Sequence, residues 1–226
     1  MKILITGTRS GIGKATEQYL AKQGHDIRGI TGHKALDVSD RQAVGTYCRN
    51  LRATNWLPDA VILNAGIFPD DVGSGFSRAN FDKTFAINVG GAINFIEELL
   101  PDMLTRGSGH FIGIASTAAF RPNALAISYP ASKAALGLAM RGFDLHYRDR
   151  GVAFSTVYLG PIATEMYEGK KSTFVPNPEG VAIMLCKLLA SKKTVVYYPF
   201  FPTMLSRVLT HFSDNTYLAI RKYLLK

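Results

Sequence analysis

Met1-Lys-Ile-Leu-Ile-Thr-Gly-Thr-Arg-Ser-Gly-Ile-Gly13 decides how this chain folds. A short apolar run gives way to three glycines at G-x-x-x-G-x-G spacing, and then to an amphipathic stretch over 11–23. That order reads as strand, tight turn, helix. Glycines let a backbone approach a pyrophosphate closely, and a helix N-terminus offers unpaired N–H groups and the positive end of its dipole. By itself the pattern also fits a plain tight turn.

Outward from this unit, short apolar runs alternate with amphipathic stretches to the end of the chain. Strands are expected at 2–6, 26–31, 35–38, 59–63, 110–115, 152–158 and 194–198. Helices are expected at 11–23, 40–53, 78–105, 129–149 and 178–190, with two short pieces within 202–225. Ser39 and Gln42 have capping-box spacing at the start of the second helix. Such alternation predicts an α/β fold: a seven-stranded, mostly parallel sheet covered by helices on both faces. With 226 residues and no repeat or linker, one domain is expected, a core over 1–198 and an amphipathic tail over 199–226.

Composition narrows the function classes. Hydrophobic residues make up 47% and charged residues 19%, which excludes a disordered chain. No apolar stretch reaches the length of a membrane span, and the N-terminal run is too short for a signal peptide. Cys48 and Cys186 have neither metal nor redox spacing, so a reducing cytoplasm is expected. The five histidines are scattered, and no metal site is expected. Net charge is +9, of which +7 lies from Gly169 onward, where nine basic residues face Glu179 and Asp214 alone. A basic bias of this kind attracts anions or is simply a solvated surface; no nucleic-acid motif accompanies it.

A dinucleotide site built on the first turn usually carries Asp or Glu at the end of the second strand, where it holds the ribose 2′-hydroxyl. Thr31 stands there instead, with Arg9, His33 and Lys34 nearby. Losing the acid removes repulsion against a 2′-phosphate, and the cations attract one. NADP is therefore expected, with NAD as the alternative. Asp37-Val38 could meet an adenine edge, and the small residues of Asn64-Ala65-Gly66 let a cofactor lie against the backbone; both are also ordinary turn chemistry.

Tyr129 and Lys133, in S-Y-P-A-S-K, fall one helical turn apart on one face. Ser116 lies thirteen residues upstream of Tyr129. A phenol beside an ammonium, with a hydroxyl able to reach the same point, is a proton-transfer device for a carbonyl or alcohol.

Taken in order, T-G-x-x-x-G-x-G at 6–13, D-V at 37–38, N-A-G at 64–66, Asn88, Ser116 and Y-P-A-S-K at 129–133 resemble the short-chain dehydrogenase/reductase family in its compact form. G-P-I-A-T at 160–164 is similar to the family's cofactor-facing segment after the sixth strand. The resemblance implies a Rossmann-type, doubly wound sheet and an oxidoreductase. Its implied cofactor contacts are Gly7, Arg9, Ser10, Gly11, Ile12, Gly13, Thr31, Asp37, Val38, Asn64, Ala65, Gly66, Tyr129, Lys133, Pro161, Ile162 and Thr164. It also implies Tyr129 as acid–base group, its pKa drawn down by the Lys133 ammonium and the oxidised nicotinamide. Ser116 would bind the substrate oxygen, and Asn88 would hold a water that links Lys133 to solvent. Leu159-Gly160-Pro161 departs from the family's Pro-Gly order, and Leu63 replaces the first Asn of Asn-Asn-Ala-Gly.

The loops 67–77, 117–127 and 164–177 carry Ile67, Phe68, Phe76, Phe120, Met166, Tyr167 and Phe174, with no arginine cluster beyond Arg121 to bind a carboxylate. An apolar carbonyl or alcohol fits such walls better than a small anion. In the tail, Met204, Leu205, Val208, Leu209 and Phe212 share one helical face. That face is expected to pack on the domain or on a second subunit, in a homodimer or homotetramer, with association to a membrane surface as the less favoured reading. A non-catalytic NADP(H)-binding redox sensor is the rival function, and the short C-terminal part leaves little room for a nucleotide-sugar domain.

Overall fold

The computed structural model describes residues 1–73, 75–122, 126–165, 175–214 and 216. Six parallel strands form one sheet: β1 (Lys2–Thr6), β2 (Asp26–Ile30), β3 (Ala60–Leu63), β4 (Gly109–Ser116), β5 (Val152–Leu159) and β6 (Val195–Tyr198). Their order is β2-β1-β3-β4-β5-β6, so the winding reverses at β1, between β2 and β3. This is the doubly wound α/β architecture, in which ligands bind beyond the carboxyl ends of the strands at the reversal.

Among the described residues six α-helices lie between the strands, α1 (Gly11–Lys22), α2 (Arg41–Ala53), α3 (Arg78–Phe85), α4 (Gly91–Arg106), α5 (Ser128–Tyr147) and α6 (Pro178–Ser191), and α7 (Phe200–Val208) follows β6. Alternate residues along the strands feed two cores. Leu4, Val61, Phe111 and Phe154 pack with α2, α4 and α5. Ile3, Ile5, Ile62, Ile112 and Val157 pack with α6 and Leu20 of α1 on the other face. Central strands buried on both faces explain the near-continuous apolar runs, such as Ala60–Leu63, that mark them in the sequence.

Three local expectations are corrected. Residues 35–38 form turns and no strand, so the described sheet has six members where seven were expected. Only residues 31–34 separate this segment from β2, far fewer than the dozen that a parallel crossover needs. Leu36 and Val38 are apolar because they plug the α2–α4 core, not because they lie in the sheet. The cap of α2 is Asp40, which accepts from the N–H groups of Gln42 and Ala43, while Ser39 bonds Asp37. A carboxylate one residue later displaces the weaker hydroxyl. The long helix expected over 78–105 is broken by a π-helical turn, Ala86–Gly90, with Asn88 at its centre.

The loss of that strand leaves β2 at the edge of the sheet. There Trp56 Nε1 donates to Asp26 at 2.7 Å, and the Arg28 guanidinium stacks 4.5 Å over the Trp56 ring.

At the other end, α7 buries Thr203 and half-buries Met204, but leaves Phe201 (83%), Leu205 (61%) and Val208 (52%) exposed. The face expected to pack is thus only partly packed within the chain. Among the described residues no helix is long and apolar enough to cross a membrane.

Candidate active site

The turn after β1 and the turn after β3 are laced together at the reversal. Thr6 Oγ1 accepts from the N–H groups of Asn64 and Ala65, both at 3.0 Å. Asn64 Nδ2 donates in return to the carbonyls of Thr6 (3.0 Å) and Gly7 (3.1 Å). This lattice tolerates no side chain: a Cβ on Gly13 would sit 2.1 Å from the Gly7 oxygen. Gly7 itself has φ +76 and abuts Ala65. The result is a bare backbone cradle beside the start of α1.

Ser10 occupies the N-cap position of α1 but makes no side-chain cap, and the first turn has no acid. Its amides and dipole are therefore available to an anion, and the glycines leave the space a pyrophosphate backbone needs. Thr164 arrives from beyond β5 to stand over Gly11, 3.3 Å from where a Cβ would lie. Ile12 packs into the core and Ile162 is buried, whereas Pro161 is exposed. Arg9 lies over Gly32, next to exposed Thr31, His33 and Lys34. Of the pair expected to meet an adenine, Asp37 is exposed and holds Ser39, while Val38 belongs to the core. The residues present fit a dinucleotide.

A second constellation lies beside the cradle. Lys133 is buried at 4% exposure, and its Nζ donates to the Ile114 carbonyl at 2.8 Å. Burial pulls the ammonium down to about 8. The Tyr129 ring centroid is 5.7 Å from that nitrogen, and the Ser116 hydroxyl hydrogen-bonds the phenol. Gly66 completes the contact between the two halves: a Cβ there would come within 3.4 Å of Lys133 Nζ and 3.2 Å of Asn88 Oδ1.

One property differs from expectation. The Tyr129 phenol is pushed up, because burial outweighs the opposing Ser116 hydrogen bond. The Lys133 ammonium is near, yet it does not offset the loss of water around the phenol. The Asn88 side chain bonds to protein: Oδ1 accepts from Ile67 N–H (2.8 Å), and Nδ2 donates to the Ile67 carbonyl (3.0 Å) and to Ser132 Oγ (3.0 Å). It clamps the loop after β3 to α5, and the π-helical turn is what aims it there.

Further residues escape sequence reasoning. Ser132, which also donates to the Tyr129 carbonyl, lies inside the motif but gives no signal by spacing. Asp71 is buried at 1% exposure and accepts from the N–H groups of Ile127 (3.2 Å) and Ser128 (2.6 Å) at the start of α5. No local pattern announces a cap from 56 residues away. Arg121, the one arginine in the expected substrate loops, donates to the carbonyls of Leu209 and Phe212 and to Asp214. It fastens the tail to the loop after Ser116. Met166, Tyr167 and Phe174 lie outside the described residues.

A cavity of about 810 Å³ runs between α1 and the start of α6 and shares Gly11 and Thr164 with the cradle. Tyr129 does not line it.

The short chain dehydrogenase family model matches residues 31–173, more than half of the chain. The 2,3-dihydro-2,3-dihydroxybenzoate dehydrogenase of Escherichia coli K12 is 29% identical over 174 residues, covering 73% of this chain and 70% of that protein. A probable oxidoreductase of Mycobacterium tuberculosis is 29% identical over 185 residues, but the match spans only 31% of its length. Among solved structures, levodione reductase superposes with a TM-score of 0.81 at 23% identity, over 90% of this chain and 97% of that one. ElxO with NADP bound gives 0.77 at 20% identity, over 87% and 96%. At such identities these two structures speak for the fold alone.

Proposed function

Because the chain belongs to the short-chain dehydrogenase family, we propose that it is an NADP(H)-preferring oxidoreductase acting on an apolar carbonyl or alcohol, with Tyr129 as its acid–base group. The observation that carries this reading is the convergence of Tyr129, Ser116 and Lys133 against the bare glycine cradle. When bound, the nicotinamide cofactor supplies or accepts the hydride.

The chain's own residues do the rest. A buried phenol with a raised pKa stays protonated at neutral pH and is poised to donate its proton to a carbonyl oxygen as that oxygen gains charge. Ser116 Oγ, anchored by the Ala118 N–H at 3.1 Å, steadies the same oxygen. Lys133 holds positive charge beneath the phenol and favours the phenolate left behind. In the oxidation direction the phenolate takes the alcohol proton. The Phe68 ring packs 4.6 Å from the Tyr129 ring and, at 45% exposure, offers the substrate an apolar wall. Arg121 is committed to the tail carbonyls and is not spent on the substrate. Preference for NADP(H) rests on Arg9, His33 and Lys34 around a position that lacks an acid.

Monitoring oxidation of NADPH and NADH against a panel of aldehydes, ketones and quinones tests the proposal. Turnover that disappears in Tyr129→Phe, with NADPH binding retained, is the expected result. Binding of NADPH without turnover on any carbonyl would return the redox-sensor reading.

A further inference from the structure

The helix that carries Tyr129 and Lys133 begins without a cap of its own. Its N-cap residue is Ile127, whose side chain makes no capping hydrogen bond, and its first turn contains no acid. A twenty-residue helix left this way exposes unpaired amides and the positive end of its dipole. Asp71, on the loop after β3, supplies both missing items. One carboxylate oxygen takes the Ile127 N–H and the other the Ser128 N–H, the residue immediately before Tyr129.

The same loop is tied down at three further points. Ile67 is clamped by Asn88 through two hydrogen bonds. Asp70 folds the loop on itself by accepting from Val72 (3.0 Å) and Gly73 (2.9 Å), and its carbonyl receives Asn80 Nδ2 at 2.6 Å. The Asp71 carbonyl takes the Ser77 N–H at 3.1 Å. Between the Ile67 clamp and the Asp71 cap stands Phe68, packed on the Tyr129 ring. Loop and helix thus hold each other by two polar anchors, with the acid–base group and its apolar wall between them.

We propose that Asp71 is a positioning residue for the reaction: its carboxylate sets the first turn of α5 against the 67–77 loop, and so fixes Tyr129 relative to Phe68 and the substrate. The proposal rests on Tyr129 being the acid–base group. Asp71 acts on the reaction through geometry: it holds the register between the phenol and the wall.

Asp71→Asn and Asp71→Ala, compared with the native chain in NADPH-dependent reduction of phenanthrenequinone, form the test. Expected for Asp71→Ala is a kcat loss of roughly ten- to a hundredfold with the NADPH Kd within a few-fold of native. Asp71→Asn, which keeps shape and one acceptor, should recover much of the rate. A purely structural role would lower the yield of folded protein and leave kcat per folded molecule native-like in both variants. Native-like kcat in both variants overturns the proposal, as does loss of NADPH binding in both. Absence of quinone turnover in the native protein, with none on other carbonyls, overturns the proposed function and this role with it.

Discussion

Strand β4 carries a polar residue near each end, and the two sit in different surroundings: His110 is fully buried and Ser116 half-buried. At its amino end His110 is fully buried, and its Nε2 lies 2.7 Å from Ser155 Oγ, which donates to the Lys193 carbonyl. Nearby, Asp144 accepts from the Phe154 N–H, the Thr194 hydroxyl and Arg148. Every acceptor of that carboxylate is used, and hydrogen bonds hold its pKa low against the opposing effect of burial. At the carboxyl end Lys133 is buried as well, but Ser116 and Tyr129 are only half-buried. There Lys133 Nζ donates to the Ile114 carbonyl, and the Ser116 hydroxyl serves the Tyr129 phenol. A carboxylate whose acceptors are all used stabilises a fold, even with His110 Nδ1 left buried without a partner beside it; half-buried hydroxyls keep their capacity for a reacting molecule.

If that contrast holds, mutations at the two ends should separate activity from stability. Tyr129→Phe should cost about 10²–10⁴-fold in kcat while the melting temperature stays close to native, measured by NADPH oxidation and calorimetry. Near-native turnover would erase the distinction at its source. Ser116→Ala should lose about 10²–10³-fold in kcat, again with little change in melting. At the other end, Asp144→Ala should destabilise the fold by about 3 kcal/mol in denaturant titration, because the Phe154 N–H and Arg148 lose their partner, while kcat per folded molecule is unchanged. A rate loss there would mean that the two ends are coupled.

The smallest effect is a titration. Burial, reinforced by nearby Lys192 and Arg148, pushes the His110 pKa down to about 4 from 6.5. Between those values the unfolded chain binds a proton that the folded chain refuses, so stability is full above pH 6.5 and is lost as pH falls towards 4. The integrated loss from this one group is roughly 3 kcal/mol. His110→Gln should flatten that acid limb in chemical denaturation, whereas an unchanged limb would assign it to other groups.

The sequence is most readable where chemistry demands a residue type at one place. Glycines at 7, 11 and 13, the Asn64-Ala65-Gly66 turn and the Tyr129–Lys133 spacing each reflect a local constraint, and the fold brings them to the carboxyl end of the sheet. It is least readable where a residue acts across a long loop. Asp71 and Ser132 make their contacts by tertiary placement, which leaves no periodicity or spacing behind. The segment 35–38 misleads for another reason. Apolar residues in an alternating pattern look like a strand whether they enter a sheet or plug a helix core, and only the connection length distinguishes the two. The direction of the Tyr129 shift depends on how much water the fold removes, a quantity absent from any motif.

The absent outer strand has a consequence for how copies of this chain meet one another. An unpaired edge in a parallel sheet invites a strand from a neighbouring molecule and can seed aggregation. Here β2 is only five residues long, carries Asp26 and Arg28, and has Trp56 bound across both. Charge, brevity and an indole fastened alongside make that edge a poor template. Replacing Trp56 is therefore expected to make that edge a better template for a neighbouring strand.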